Sequence, residues 1–128
     1  GFSDYLEDKV LDHVFGGVAY TAPTTHYVAL YTVAPTDTGG GTEVTGGSYA
    51  RQTSTFTVSG TSPTTATSAA AVEYPTATAD YGTVVAVGIM DALTSGNLLA
   101  YANLDTSKVV SNGDVFRFDA GDLDITLA

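Results

Sequence analysis

Hydrophobic positions gather most densely between Gly82 and Leu104, where two apolar runs, Val84 to Met90 and Leu98 to Leu104, flank a polar turn at Leu93 to Asn97. Runs of this length, rich in Val and Ile and bounded by Ser95, Gly96 and Asn97, predict two strands joined as a hairpin. Alternation sends Val85, Val87 and Ile89 one way and Val84, Ala86 and Met90 the other. Because both sides are apolar, the hairpin is expected inside a sheet and not at its edge.

At the N-terminus the spacing changes. Phe2, Leu6, Val10 and Val14 recur every four residues, with Leu11 and Phe15 widening the stripe. This predicts a helix over Phe2 to Phe15, or about residues 3–15 counted from its cap. Asp4 is the expected cap with Glu7 three residues on, and Gly16-Gly17 ends the helix. A helix this short is marginal unless its stripe packs on something, either the sheet or a neighbouring subunit.

The rest of the chain is punctuated as a β protein. Val18 to Ala22 is expected to be a short extended piece, and His26 to Val33 a strand with apolar residues on both sides. Ala34 to Gly47, with Pro35 and glycines at 39 to 41, 46 and 47, is expected to be a projecting loop. Tyr49 to Val58 is expected to be one strand exposing Arg51, Thr53, Thr55 and Thr57 opposite Phe56 and Val58. Ala66 to Tyr74 is assigned as a strand before Pro75. Lys108 to Ser111 and Asp114 to Asp119 are expected to pair around Asn112-Gly113, and Asp122 to Leu127 alternates as a last strand. Seven or eight strands at this spacing predict a mainly β fold. The expected form is an antiparallel β-sandwich, jelly-roll-like, with one N-terminal α-helix in a single domain over residues 1–128.

Composition narrows the function. Hydrophobic residues make up 44% of the 128, enough for a core that takes in roughly two-thirds of the unfolded surface. With no Cys there is neither a disulfide framework nor a thiolate metal site. Fourteen acidic residues against Lys9, Arg51, Lys108 and Arg117 give a net charge of −10, which repels phosphate backbones and argues against nucleic-acid binding. No stretch approaches the roughly 20 apolar residues of a membrane span, and the N-terminus lacks the layout of a secretion signal. A soluble protein made in the cytoplasm is expected.

Candidate chemistry is sparse. His13 and His26 are the only histidines, and no G-x-S-x-G elbow occurs, so a hydrolytic triad is not expected and no catalytic residue is assigned. Asp114, Asp119, Asp122 and Asp124 lack the spacing of a calcium loop and are better explained as solvated turn residues. The glycines at 39 to 47 lack the Gly-Lys-Ser/Thr ending of a phosphate loop. Tyr27, Tyr31, Tyr74 and Tyr101 suit core packing more than sugar stacking. No metal and no cofactor are expected.

The segments FSDYLEDKVLDHVFGG, AYTAPTTHYVALYTVAPT, VGIMDALTSGNLLAYANL and FRFDAGDLDITLA together resemble a family of small tailed-phage virion proteins, often labelled tail-fibre-like. The resemblance runs in order over nearly the whole chain and is weakest at Gly39 to Gly47 and Thr53 to Thr67. That family is similar in size and apparent form to capsid decoration, or cement, proteins that sit as trimers on phage heads. The resemblance implies a structural protein on the outer head surface of the virion, a homotrimer bound to the major capsid protein, with no membrane or nucleic-acid partner. The alternatives are a tail or fibre-tip component that contacts the host, and a carbohydrate-binding module. Partner contacts are expected from the helix face, Phe2, Tyr5, Leu6 and Val10, or from the following loop at Pro35, Thr36 and Glu43.

Overall fold

The computed structural model describes residues 1–127. The chain runs α1 (Asp4–Val14), β1 (His26–Val33), β2 (Thr42–Glu43), β3 (Gln52–Ser54), β4 (Phe56–Ser59), β5 (Thr64–Ser68), β6 (Val72–Glu73), β7 (Gly82–Met90), β8 (Leu98–Val110), β9 (Arg117–Phe118) and β10 (Asp124–Leu127). Every strand pairing among the described residues is antiparallel. The expected mainly β fold with one N-terminal helix is therefore the observed one.

The largest sheet has the order β2-β1-β7-β8, with β3 also paired to β1; β10-β5-β4 and β6-β9 form two smaller sheets. Alternation along β1 separates two apolar environments. Val28 and Leu30 enter the main core with Val87, Ile89 and Leu99, where Val72, Tyr74, Phe116, Phe118 and Leu123 pack over them. Ala29 and Tyr31 face the opposite side with Ala86, Met90 and Leu98. The smaller sheets thus layer on one face of the large one. The fully buried Tyr74 satisfies its hydroxyl by donating to the Val28 carbonyl at 2.7 Å, which ties the layers together.

The central hairpin forms, with two corrections. A register shift between Val84 and Ala86 moves Val84 into the main core beside Val87, and Val85 to the other side. A bulge reverses face parity, which simple alternation cannot anticipate. Secondly, only β7 is interior. β8 ends the sheet, and its outer edge is covered just at its start, where Phe2 bridges Ala100, Ser3 N–H donates to Leu99 O at 2.8 Å and Tyr101 N–H donates to Gly1 O at 2.9 Å.

Other expectations are also corrected. The helix cap is Ser3, not Asp4: its extended backbone (φ −73°, ψ 158°) and its side-chain oxygen, which accepts from Leu6 N–H, define the start. Val18 to Ala22 forms no strand. The Ala34 to Gly47 loop does not simply project, because Pro35 and Val44 are buried, Val44 N–H donates to Leu30 O, and β2 pairs with β1. Tyr49 to Val58 divides between two sheets, β3 on β1 and β4 on β5, and it is Val58 that is exposed. Ala66 to Tyr74 likewise breaks between β5 and β6. Lys108 to Val110 completes β8, and the chain turns at Asn112-Gly113 but does not return along it. β9 pairs with β6 instead, which buries Phe116, its ring 5.9 Å from that of Tyr74, and Phe118, its ring 5.0 Å from that of Phe116. Burying two phenylalanines outweighs a short hairpin ladder.

Candidate functional site

The Gly-rich loop, the N-terminus of α1 and the turn between β7 and β8 enclose a cavity of about 620 Å³. Its wall is built by an ion pair whose partners are eight residues apart. Glu43 leaves β2 and meets Arg51, just before β3, in a two-pronged contact: Nε to Oε2 at 2.9 Å and Nη2 to Oε1 at 2.8 Å. Arg51 Nη1 donates to the carbonyls of Ala92 and Ser95 at 2.9 and 2.7 Å. Four of the five guanidinium N–H donors are thereby committed within the protein. The Arg51 side chain is only 8% exposed, in contrast to the solvent-facing position its alternation predicts.

Tyr49 completes the group. Its hydroxyl donates to Glu43 Oε2 at 2.6 Å and accepts from Leu30 N–H at 3.0 Å. Burial pushes the Glu43 carboxyl up, but the hydrogen bonds from Arg51 and Tyr49 and the guanidinium charge outweigh it and hold the group below its ordinary value. The Tyr49 hydroxyl is driven far above its ordinary range by burial and by the carboxylate it bonds. The pair is thus a clamp that joins β2, the β3 entrance and the hairpin turn.

The loop is held from the other side by Asp37. Its carbonyl accepts from Asp4 N–H at 2.8 Å, and its carboxylate accepts from the Tyr101 hydroxyl. Thr36 and Gly39 exchange backbone hydrogen bonds of 2.9 and 2.8 Å across the tight turn between them. Gly41, at φ +72°, passes so close to β1 that a Cβ there would lie 2.6 Å from the Val33 carbonyl oxygen, which only glycine tolerates.

The seven residues expected to contact a partner are therefore dispersed. Tyr5 and Glu43 line the cavity, Pro35 is buried and Thr36 is on the exposed turn. Phe2 and Leu6 pack against the main core, and Phe2 also lines a second groove on the far side of the helix; Val10 is half-buried. The acidic residues near the C-terminus mostly serve turns: Asp114 accepts from Ser111 N–H and Asp122 from Asp119 N–H, each through its carboxylate, while Asp119 pairs with Arg117. His13 Nδ1 accepts from Tyr20 N–H at 3.1 Å, and His26 packs edge-on against Phe56.

Part of the helix stripe expected to pack on the sheet or on a neighbouring subunit is left uncovered at the outer end of α1. Leu11, Val14, Phe15 and Val18 are 59, 60, 82 and 53% exposed. Leu11 and Val14 stand in the last turns of α1, Phe15 is its C-cap and Val18 follows Gly17, where the backbone turns at φ +70°.

No curated protein matches the chain. Residues 1–126 match the family described as Podophage GP4 fiber I protein gp80. The match spans the fold from the N-terminal helix into β10, so the chain belongs to that phage fibre protein family and is a phage virion structural protein.

Proposed function

We propose that the protein is a non-enzymatic structural domain of the phage fibre that docks onto another virion protein through the outer end of α1. The observation that carries this reading is the exposure of Leu11 and Val14 in the last turns of α1, of Phe15 at its C-cap and of Val18 just beyond, on a helix whose first turn is firmly anchored. Four large apolar side chains left exposed within eight consecutive residues are characteristic of an interaction site. The family match supports assigning that site to fibre assembly, and the absence of sequence repeats favours an attachment or tip domain over a shaft.

Decoration of the head, as a trimer on the major capsid protein, is the second reading. It is favoured by the small size and by the net charge of −10, which keeps a protein soluble at high local concentration. Cryo-electron microscopy of virions with and without the protein separates the two. Density at the tail that is lost in its absence, and lost again with the double variant Val14→Glu/Phe15→Glu, is the expected result. Density over the head surface would replace the fibre reading by decoration.

A further inference from the structure

The second groove, about 830 Å³, lies between two strands that each end a sheet, β8 on one side and β10 on the other. Its floor is the main core itself: Val87, Ile89, Phe116, Phe118, Leu123 and Ile125. The outer edge of β8 is already used as a pairing edge where Gly1 to Ser3 lies antiparallel against Leu99 to Tyr101. Gly1 of that pairing lines the groove. Two residues beyond Tyr101, the strand period turns the backbone N–H and C=O of Asn103 outward in the same direction. β10 bonds β5 through its other edge, so among the described residues both strands bring an unpaired edge to the groove.

The rim selects by charge. Glu7, Asp105, Asp122 and Asp124 line the groove against a single cationic side chain, Lys108. A second copy of this chain is a poor occupant: it carries the same net charge of −10, and two of its four cations, Arg51 and Arg117, are already in ion pairs. The geometry points to a docking site for an extended segment of a different chain, one that alternates apolar with basic side chains and adds as a strand between β8 and β10. Such a strand satisfies open backbone groups through main-chain hydrogen bonds and places alternate side chains on the aromatic floor. Opposite charge at the rim sets the choice of partner and speeds encounter. Insertion would join the five-stranded and three-stranded sheets into one and remove two exposed edges.

The test uses the purified chain and an end-blocked eight-residue peptide alternating valine with lysine and threonine, followed by nuclear magnetic resonance and amide exchange. Expected is saturable binding at least ten-fold tighter than that of the same peptide with glutamate for lysine. Exchange at Asn103 and along β10 should slow, and N-methylation of alternate peptide amides should abolish binding. In the Asp105→Lys/Asp124→Lys variant, with thermal unfolding confirming the fold, the preference should reverse toward the glutamate peptide. Absence of saturable binding, indifference to peptide charge, or shifts confined to Leu11 to Val18 would overturn the proposal. Protection of Asn103 by self-association without peptide would overturn it in favour of a second copy. Because these readouts are made on the isolated chain, they stand or fall independently of whether the protein sits on tail or head.

Discussion

The ring of Tyr31, a residue paired with Ala86, leans diagonally over Gly88 on the neighbouring strand, so that a Cβ at Gly88 would come within 2.8 Å of Tyr31 Cε2 and 2.9 Å of Leu98 Cδ1. Gly88 is not at a turn; it stays bare because an aromatic side chain occupies the space above it. Tyr31 in turn is almost fully buried, with its hydroxyl 3.7 Å from Met90 Sδ.

Gly88→Ala should therefore destabilise the fold by about 1–3 kcal/mol through overpacking. Tyr31→Ala alone should cost about 3–5 kcal/mol, as large aromatic truncations do. In the double variant the added methyl meets no ring, so the combined loss should fall short of the sum. Urea unfolding of the four proteins measures the coupling, and strict additivity would show that the two side chains do not compete for space.

The Glu43–Arg51 clamp makes a second prediction. Removing one partner of a largely buried pair leaves the other charge without compensation, and Arg51→Ala should cost about 3–5 kcal/mol. Replacing both, as in Glu43→Leu/Arg51→Met, should cost less than Arg51→Ala alone. Melting temperatures of the set decide it.

The same pair sets an acid response. Glu43 has a lower pKa folded than unfolded, so its contribution is complete above the unfolded value, about 4.3, and is lost as pH falls from there through the depressed folded value. Glu43→Gln should be less stable at pH 7 and should show a flatter decline between about pH 5 and pH 2. A variant whose acid limb matched that of the wild type would assign the response to other carboxylates.

Ser3 joins helix to sheet with one hydroxyl, accepting from Leu6 N–H at 3.2 Å while donating to Leu98 O at 2.5 Å, and it is 1% exposed. Ser3→Ala should cost about 1–3 kcal/mol, combining a lost cap with a carbonyl left short of a donor. Amide exchange should rise first at Leu6 and Glu7, and unchanged protection there would rule out the capping role.

At the outer end of α1 the expectation is the reverse. Val14→Glu/Phe15→Glu changes residues that are mostly exposed, so each change should alter stability by no more than about 0.5 kcal/mol. Incorporation into virions, measured by mass spectrometry of purified particles, should nevertheless be lost. Normal incorporation would remove this surface from assembly.

What the sequence determined by itself was local and periodic. The α1 stripe, β1 at His26–Val33 and the β7 and β8 runs each carry their own repeat, because burial of one face leaves a period of about 3.6 or 2 in the chain. The family was legible for the same reason, since its segments recur in order along the chain. What only the tertiary structure decided depends on partners distant in sequence. Arg51 turned inward because carbonyls 41 and 44 residues away receive it, β9 left β8 because Phe116 and Phe118 fit beneath β6, and a bulge before Ala86 exchanged the faces of Val84 and Val85. Local pattern records that a side chain is apolar or charged. Which neighbour satisfies it, and which strand is left with an open edge, follows from long-range pairing, where a single ion pair or a single register shift outweighs the propensity of the segment that carries it.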